Sequence, residues 1–216
     1  MLQRSVNTFV SRSRRSICSS RPIWAKKALG NAVPRTAELD EADLSGLPAV
    51  LQRSANILCG LSERTTTQKV LQVWAESGSE DDKTFCCFLG SSSVFDVSGI
   101  VIDKSQEEID ALKDSAHYNE VAVLPEDGKL PPQLFRKNSF PYTVAISPTS
   151  DTAALRPSLC LDYTADDGYV IYGLKEPVWN EMGIIDELMD LASSGQGEIL
   201  SIQVIEGFNL ALLRKT

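Results

Sequence analysis

The chain has a single histidine, His117, and this residue limits the catalytic chemistry that the sequence can support. His117 follows a predicted helix, whose dipole favours a protonated imidazole at that end. Asp114 and Glu120 lie near it in the sequence. A general base or a pH-sensitive contact also needs a geometric partner, which the sequence does not identify. The pattern therefore favours a surface residue at a helix end over a catalytic base.

Two pairs of aspartates, Asp81-Asp82 and Asp166-Asp167, are the candidate ligands for a divalent cation. No twelve-residue calcium loop surrounds either pair. Asp166-Asp167 precede Gly168, and Asp-Gly is the dipeptide that a tight hairpin turn prefers. The five cysteines (Cys18, Cys59, Cys86, Cys87 and Cys160) show no CxxC spacing, which favours buried thiols over zinc ligands. The sequence predicts no metal site.

Cofactor motifs are absent as well. Gly195-Gln196-Gly197 follows a predicted helix and precedes a predicted strand, whereas a dinucleotide loop follows a strand and precedes a helix. The sequence holds no P-loop, no GxSxG and no HExxH. We therefore predict no catalytic residue and no cofactor. If a scattered site exists, its first candidates are five side chains: Asp96, Asp103, His117, Asp162 and Tyr163.

One segment, residues 134–142 (LFRKNSFPY), mixes cationic and aromatic side chains. Such a mixture can hold single-stranded nucleic acid by stacking and charge, or it can contact an acidic or amphipathic protein. We predict partner binding here by five residues, namely Phe135, Arg136, Lys137, Phe140 and Tyr142.

The N-terminal segment has the clearest targeting signal in the sequence. Residues 1–37 contain eight basic residues and no acidic residue. Leu2, Val6, Phe9 and Val10 fall on one face of a predicted helix, opposite the arginines. This composition is typical of an organelle presequence. We predict a cleaved presequence at 1–27 and a linker at 28–40, with a mitochondrial location in the matrix or on the matrix face of the inner membrane; a plastid transit peptide is the minor alternative.

The body of the chain is strongly acidic. Residues 38–216 keep 13 of the 21 basic residues and all 29 acidic residues, for a net charge of −16. Such a surface repels phosphate backbones, so nucleic acid is an improbable partner. No apolar run reaches the roughly 18 residues that a membrane span requires.

Apolar periodicity predicts the elements that would position these residues. A helical pair is expected at 41–78, from Pro48 to Gly60 and from Glu63 to Ser77, followed by an α+β domain at 84–216. Three hairpin turns are predicted, at Gly90–Ser93, Ala165–Gly168 and Glu206-Gly207. The predicted strands are Thr84–Leu89, Val94–Ile102, Glu120–Leu124, Tyr142–Ile146, Leu159–Tyr163, Tyr169–Leu174, Leu200–Val204 and Phe208–Leu212, and the later helices are 105–116 and 179–193.

Because hairpins dominate this order, the predicted fold class is α+β, with a mainly antiparallel sheet and helices on one face. The order strand-strand-helix-strand occurs near 84–124 and again near 159–205, which is compatible with a duplicated core.

The functional hypothesis is a non-catalytic accessory subunit or assembly factor of a large mitochondrial complex, such as a respiratory complex, ATP synthase or the mitoribosome. It would bind protein partners and could be peripheral to the inner membrane. The alternatives are a small organellar enzyme or ligand-binding domain with a scattered site, and an organellar RNA-associated factor that uses residues 134–142.

Overall fold

The computed structural model describes residues 44, 46–62, 66–73, 85, 86, 89, 95–101, 107, 109, 110, 118–123, 135–147 and 156–216. All of these belong to one compact unit that spans residues 32–216. The predicted presequence at 1–27 and the linker at 28–40 lie outside the described residues.

Helices and strands alternate through most of the described chain. Between β1 and β2 residues 85, 86 and 89 are helical, and between β2 and β3 residues 107, 109 and 110 are helical. The elements are α1 (Ala49–Leu61), β1 (Gln68–Val73), β2 (Phe95–Val101), β3 (Tyr118–Val123), β4 (Phe140–Ser147), α2 (Pro157–Tyr163), β5 (Thr164–Lys175), α3 (Glu176–Glu181), α4 (Ile184–Ser193), β6 (Gly197–Ile205) and β7 (Phe208–Lys215).

The seven strands form one sheet in the order β3-β2-β1-β4-β5-β7-β6. Strands β1 to β5 run parallel to one another, and β7 is antiparallel to both β5 and β6. In the centre, Val73 of β1 lies opposite Ile100 of β2 and Ala145 of β4. The carboxyl ends of the central strands therefore meet at one edge of the sheet.

The predicted antiparallel sheet is wrong for most of this fold. Parallel strands need crossover connections, and each of the four connections between β1 and β5 contains helical residues or exceeds the length of a hairpin turn. The helices are also not confined to one face. One apolar cluster packs α1 on the sheet, and a second packs α2, α3 and α4 on it. Successive β1 residues, Val70 and Leu71, point into different clusters, as expected of a strand buried on both sides.

Three segments account for the error. Residues 63–77, predicted as the second helix of a pair, contain β1. Residues 85, 86 and 89, within a predicted strand, are helical. Leu159–Tyr163, also predicted as a strand, lies in helix α2, which starts with Pro157 at its first position. Short apolar runs do not distinguish a buried strand from a buried helix, because both need only apolar side chains. The prediction of a duplicated β-β-α-β core is therefore wrong as well.

The Asp167-Gly168 dipeptide, which was predicted to form a hairpin turn, lies inside strand β5. Thr164 pairs with Phe140 and Tyr169 pairs with Tyr142, so the residues between them form an irregularity inside one strand. Asp167 has a positive φ of 63°. A Cβ on Gly168 would lie 2.8 Å from the Pro141 carbonyl oxygen, so glycine is required at this close approach. Only Asp167 adopts the positive φ that the predicted hairpin turn requires at both residues, and no hairpin forms here.

The C-terminal hairpin is confirmed. β6 and β7 pair from Gly197 with Lys215 to Ile205 with Phe208, and the turn residues Glu206 and Gly207 have positive φ values of 48° and 81°. Positive φ at both central residues is what a twisted two-residue hairpin turn requires. None of the helices in the described residues is long and apolar enough to span a membrane.

Candidate functional site

The strand order marks a candidate ligand-binding crevice at the carboxyl edge of the sheet. In open α/β sheets, ligands bind beyond the carboxyl ends of the strands, where the strand order reverses. Here the order reverses between β1 and β4, because the chain proceeds outward from β1 through β2 to β3 and then returns to β4. Val73, Ile100 and Ala145 lie near this point and are buried in the apolar cluster that packs α2, α3 and α4 on the sheet.

A buried hydrogen bond braces β1 just before the crevice. The Tyr118 hydroxyl donates to Gln72 Oε1 at 2.9 Å. Tyr118 begins β3 and Gln72 is the penultimate residue of β1, so the side chain crosses β2. It crosses at Gly99, where a Cβ would lie 3.3 Å from the tyrosine ring. The contact fixes the three strands whose carboxyl ends border the crevice.

The start of α2 is tied to α4. Arg156 Nη1 donates to the Met182 carbonyl oxygen at 2.8 Å and to Glu187 Oε2 at 3.3 Å. The Ser158 amide donates to Glu187 Oε1 at 3.1 Å. Both carboxylate oxygens of Glu187 therefore accept hydrogen bonds within the protein, and the carboxylate is a structural tie between the two helices.

Near these helices two buried threonines and the backbone of Cys160 are linked by hydrogen bonds, and none of these three residues is exposed. The Thr164 hydroxyl donates to the Cys160 carbonyl oxygen at 2.7 Å, so the Thr143 hydroxyl is the donor in the 2.8 Å contact between the two threonines. Burial, reinforced by Glu187, raises the pKa of the Cys160 thiol. Burial likewise raises the pKa of Tyr172. These groups stay neutral at physiological pH and serve packing, as the sequence predicted for the cysteines.

The predicted partner-binding residues lie near the start of β4, at the edge of the sheet opposite the crevice. Phe135, Phe140 and Tyr142 are buried, and the first two rings stack with centroids 6.2 Å apart. Arg136 and Lys137 are exposed. A hydrogen bond and charge attraction from Asp162 raise the pKa of Lys137. The partner-binding role of these five residues stays a prediction.

The structure describes three of the five candidates for a scattered site, and these three lie away from the carboxyl edge of the sheet. Asp162 and Tyr163 end α2 beside the residues just before β4, through hydrogen bonds from the Asn138 and Ser139 amides to their carbonyl oxygens. Asp96 lies near the amino end of β2, where its Oδ1 is buried without a hydrogen bond. Asp103 and His117, like the Asp81-Asp82 pair, lie outside the described residues. Within the part of the chain that the structure describes, no three His, Cys, Asp or Glu side chains are placed to hold a metal ion.

Sequence reasoning named Asp103, which follows β2, only as one of five scattered candidates, and it did not identify the segment that follows β1. β1 ends at Val73 and the chain continues as Trp74-Ala75-Glu76-Ser77-Gly78, and β2 ends at Val101, two residues before Asp103. A strand, a glycine turn, a helix and a second strand with an acidic residue at its end make a nucleotide-binding signature. The signal was hidden because Gly78 is the only glycine among residues 74–78.

No family model and no curated protein matches the sequence. Solved structures do match the fold. The DszA carbon methyltransferase superposes with a TM-score of 0.52 at 13% identity, covering 89% of this chain and 57% of that one. A structure of the Haloferax volcanii Trm112 methyltransferase activator with a protein assigned as a methyltransferase gives 0.51 at 11% identity, covering 86% and 99%. A Rhodobacter sphaeroides protein assigned as a zinc-dependent alcohol dehydrogenase gives 0.53 at 11% identity, covering 89% and 97%.

At these identities the likeness establishes the fold alone, a mostly parallel Rossmann-like sheet with helices. The chain spans little more than half the length of the carbon methyltransferases, 57% for DszA and 56% for CurJ.

These matches overturn the functional prediction. The non-catalytic accessory subunit or assembly factor is wrong, because the solved structures that share the fold are methyltransferases among other enzymes. The alternatives do not fit either: the enzyme alternative assumed an antiparallel α+β domain with a scattered site, whereas the sheet is mostly parallel, and the RNA-associated factor is set aside with it. The prediction that the chain is a complex subunit defined by protein–protein interactions is wrong for the same reason.

Proposed function

We propose that the chain is a methyltransferase of the mitochondrial matrix that takes its methyl group from S-adenosylmethionine. The observation that carries the proposal is the strand order, five parallel strands followed by an antiparallel β7 inserted between β5 and β6. This order departs from the 3-2-1-4-5-6 order of dinucleotide-binding folds. It accompanies the likeness to methyltransferases at TM-scores of 0.51 and 0.52.

The residues that follow the central strands fit the adenosine half of this cofactor. Val73 and Ile100 are register partners, so β1 and β2 end within one residue of each other. Asp103 comes two residues after the end of β2. An acidic residue in this sequence position hydrogen-bonds ribose hydroxyls in related α/β folds, and a carboxylate accepts two such bonds. Asp103 is therefore our candidate for the ribose ligand.

The segment after β1 fits a cofactor without phosphate. In a dinucleotide fold the second glycine lets the backbone approach a pyrophosphate. S-adenosylmethionine has no pyrophosphate, and the segment after β1 has Glu76 two residues before its one glycine, Gly78. A carboxylate is chemically matched to a cofactor that carries a sulfonium and an ammonium group. When bound, this cofactor supplies an electrophilic methyl group on the sulfonium sulfur.

Charge supports the substrate class and the location. The net charge of −16 over residues 38–216 disfavours a nucleic-acid substrate, because phosphate contacts supply most of that affinity. We therefore propose a protein or small-molecule acceptor. The basic N-terminal segment supports the matrix, where a positive presequence is drawn by an inside-negative potential.

Cofactor binding tests the proposal. We expect S-adenosylmethionine and S-adenosylhomocysteine to bind the purified full chain in isothermal titration. Asp103→Asn should weaken binding about tenfold or more, which corresponds to about 1.4 kcal/mol or more. The matched control is Asp96→Asn at the amino end of the same strand, which should leave the affinity unchanged.

Melting temperatures of both variants show whether either substitution affects folding instead. Absence of binding at millimolar cofactor would end the methyltransferase proposal, and equal losses in the two variants would remove Asp103 from the site.

A further inference from the structure

The exposed apolar side chains are concentrated at one end of the sheet. Among the described residues, every large apolar side chain classed as exposed lies on α4 or β6, two consecutive elements that pack together. Val204 is the most exposed, at 69%. Exposed large apolar side chains concentrated on neighbouring elements are typical of interaction sites. We call these five residues the β6 patch: Ile185, Met189, Leu200, Ile202 and Val204.

The patch borders an open strand. β6 is the last strand of the sheet, and no strand in the described ranges pairs with its outer side. Ile199–Ile205 contains no charged residue, no proline and no glycine. Edge strands are usually protected by lysine, proline, a bulge or a cover, because their unpaired amides and carbonyls recruit other strands. The one irregularity, between Ile199 and Ser201, leaves Ser201–Ile205 in regular pairing with β7.

The two faces of this regular stretch differ in character. Ile202 pairs with Ala211, whose side chain belongs to the cluster of α2, α3 and α4, so Ile202 and Val204 lie on the face that α4 covers elsewhere. Gln203 lies on the other face and accepts a hydrogen bond from Arg53 of α1 at 3.1 Å. An incoming strand would meet apolar side chains on the α4 face. On the α1 face it would meet Ser201, Ile205, and Gln203 with its partner Arg53.

We propose that β6 pairs antiparallel with β6 of a second copy of this chain, across a two-fold axis at Gln203. In this register Ile202 faces Val204 of the partner subunit and Val204 faces Ile202 of the partner subunit. The row of apolar side chains on the α4 face then continues across the axis, and the two sheets join into one. Contacts of this kind are isologous, so a single patch completes both subunits.

The absence of charged residues from Ile199–Ile205 favours a second copy of this chain over a basic partner. The seven residues Ile199–Ile205 are uncharged within a body whose net charge is −16. A basic strand would find carboxylates only at the ends, at Glu198 and Glu206. An uncharged strand with one apolar face fits along its whole length, and β6 itself has that composition. Two acidic bodies can approach at this edge with the least repulsion.

Sedimentation equilibrium of the full chain tests the proposal. We expect twice the monomer mass for the wild type. Val204→Lys places like charges next to the axis and should weaken dimerisation about tenfold or more, equivalent to about 1.4 kcal/mol. The matched control is Asn119→Lys, an exposed position on β3 at the opposite edge of the sheet, which should remain dimeric. A monomeric wild type overturns the proposal, as does an equal effect of both lysines.

A cross-linking experiment gives an answer that does not depend on the stability of the lysine variant. Gln203→Cys places one thiol on each side of the axis, where directly opposed residues have the Cα separation that a disulfide accepts. We expect a covalent dimer under mild oxidation for Gln203→Cys and none for the control Asn119→Cys. Cross-linking of both variants to the same extent, or of neither, contradicts pairing through β6.

Discussion

The Tyr118 hydroxyl on β3 donates a hydrogen bond to the side-chain oxygen of Gln72 on β1, across the full width of β2. The 2.9 Å contact exists because residue 99 of β2 is a glycine, so the ring can lie flat against the intervening strand. It connects the three strands on one side of the proposed cofactor crevice in a layer that α1 covers. The geometry of β1 thus depends on a residue 46 positions away in the sequence.

Tyr118→Phe should destabilise the fold. Both residues are buried, and the substitution leaves Gln72 Oε1 without the tyrosine donor, at an expected cost of about 1–3 kcal/mol. Urea denaturation measures the change. The double variant Tyr118→Phe/Gln72→Met, which replaces both partners by apolar groups, should recover part of the loss. If the double variant were as unstable as the sum of the single variants, the two side chains would not be coupled.

Lys215 should contribute more to stability than an exposed lysine. Its ammonium group donates to Asn138 Oδ1, to the Leu161 carbonyl oxygen at 2.7 Å and to the Thr164 carbonyl oxygen at 2.9 Å. We expect Lys215→Met to cost about 1–2 kcal/mol, since hydrogen bonds to charged groups are the stronger ones and this group is partly solvated. Thermal unfolding compares it with Lys175→Met, a substitution at an exposed position. Equal melting temperatures would show that the contact adds no stability.

Cys160 should resist alkylation in the native protein. It is fully buried, and burial raises the pKa of its thiol, so the reactive thiolate is scarce. Cys59 is half-buried and provides an internal comparison. Peptide mapping after iodoacetamide treatment should show Cys59 modified first and Cys160 modified only in denaturant. Increasing the pH to about 9 should not accelerate Cys160, because its raised pKa keeps the thiol protonated there. Equal native rates would contradict this placement.

Import should depend on the charge of the N-terminal segment. Replacing Arg12, Arg14 and Arg15 by alanine removes three of its eight positive charges and should reduce uptake by isolated mitochondria. An uncoupler that removes the membrane potential should abolish uptake of the unaltered chain. Arg136→Ala/Lys137→Ala, which removes two charges from the folded body, serves as the control and should be imported normally. Import unchanged by the arginine substitutions would refute the mitochondrial proposal.

The sequence by itself determined the features that depend on neighbouring residues. Glu206 and Gly207 form the predicted hairpin turn, and the alternating residues on either side become β6 and β7. The stripe from Leu51 to Leu58 forms α1. The charge asymmetry between residues 1–37 and the acidic body also follows from composition alone. Each of these signals is complete within a few turns or a few strand residues.

Tertiary structure decided which strands are neighbours. β1 pairs with β2 and β4, whose paired residues follow it by 27 and 72 positions, and no local pattern encodes such partners. Leu159–Tyr163 became a helix because it packs between the sheet and α4, although its apolar run fits a strand equally well. The candidate crevice is located by the reversal of the strand order, and that order is a property of the assembled sheet. Short-range periodicity therefore specified the elements that form locally. Long-range parallel pairing specified the order of the strands in the sheet, and with it the position of the candidate site at the carboxyl edge.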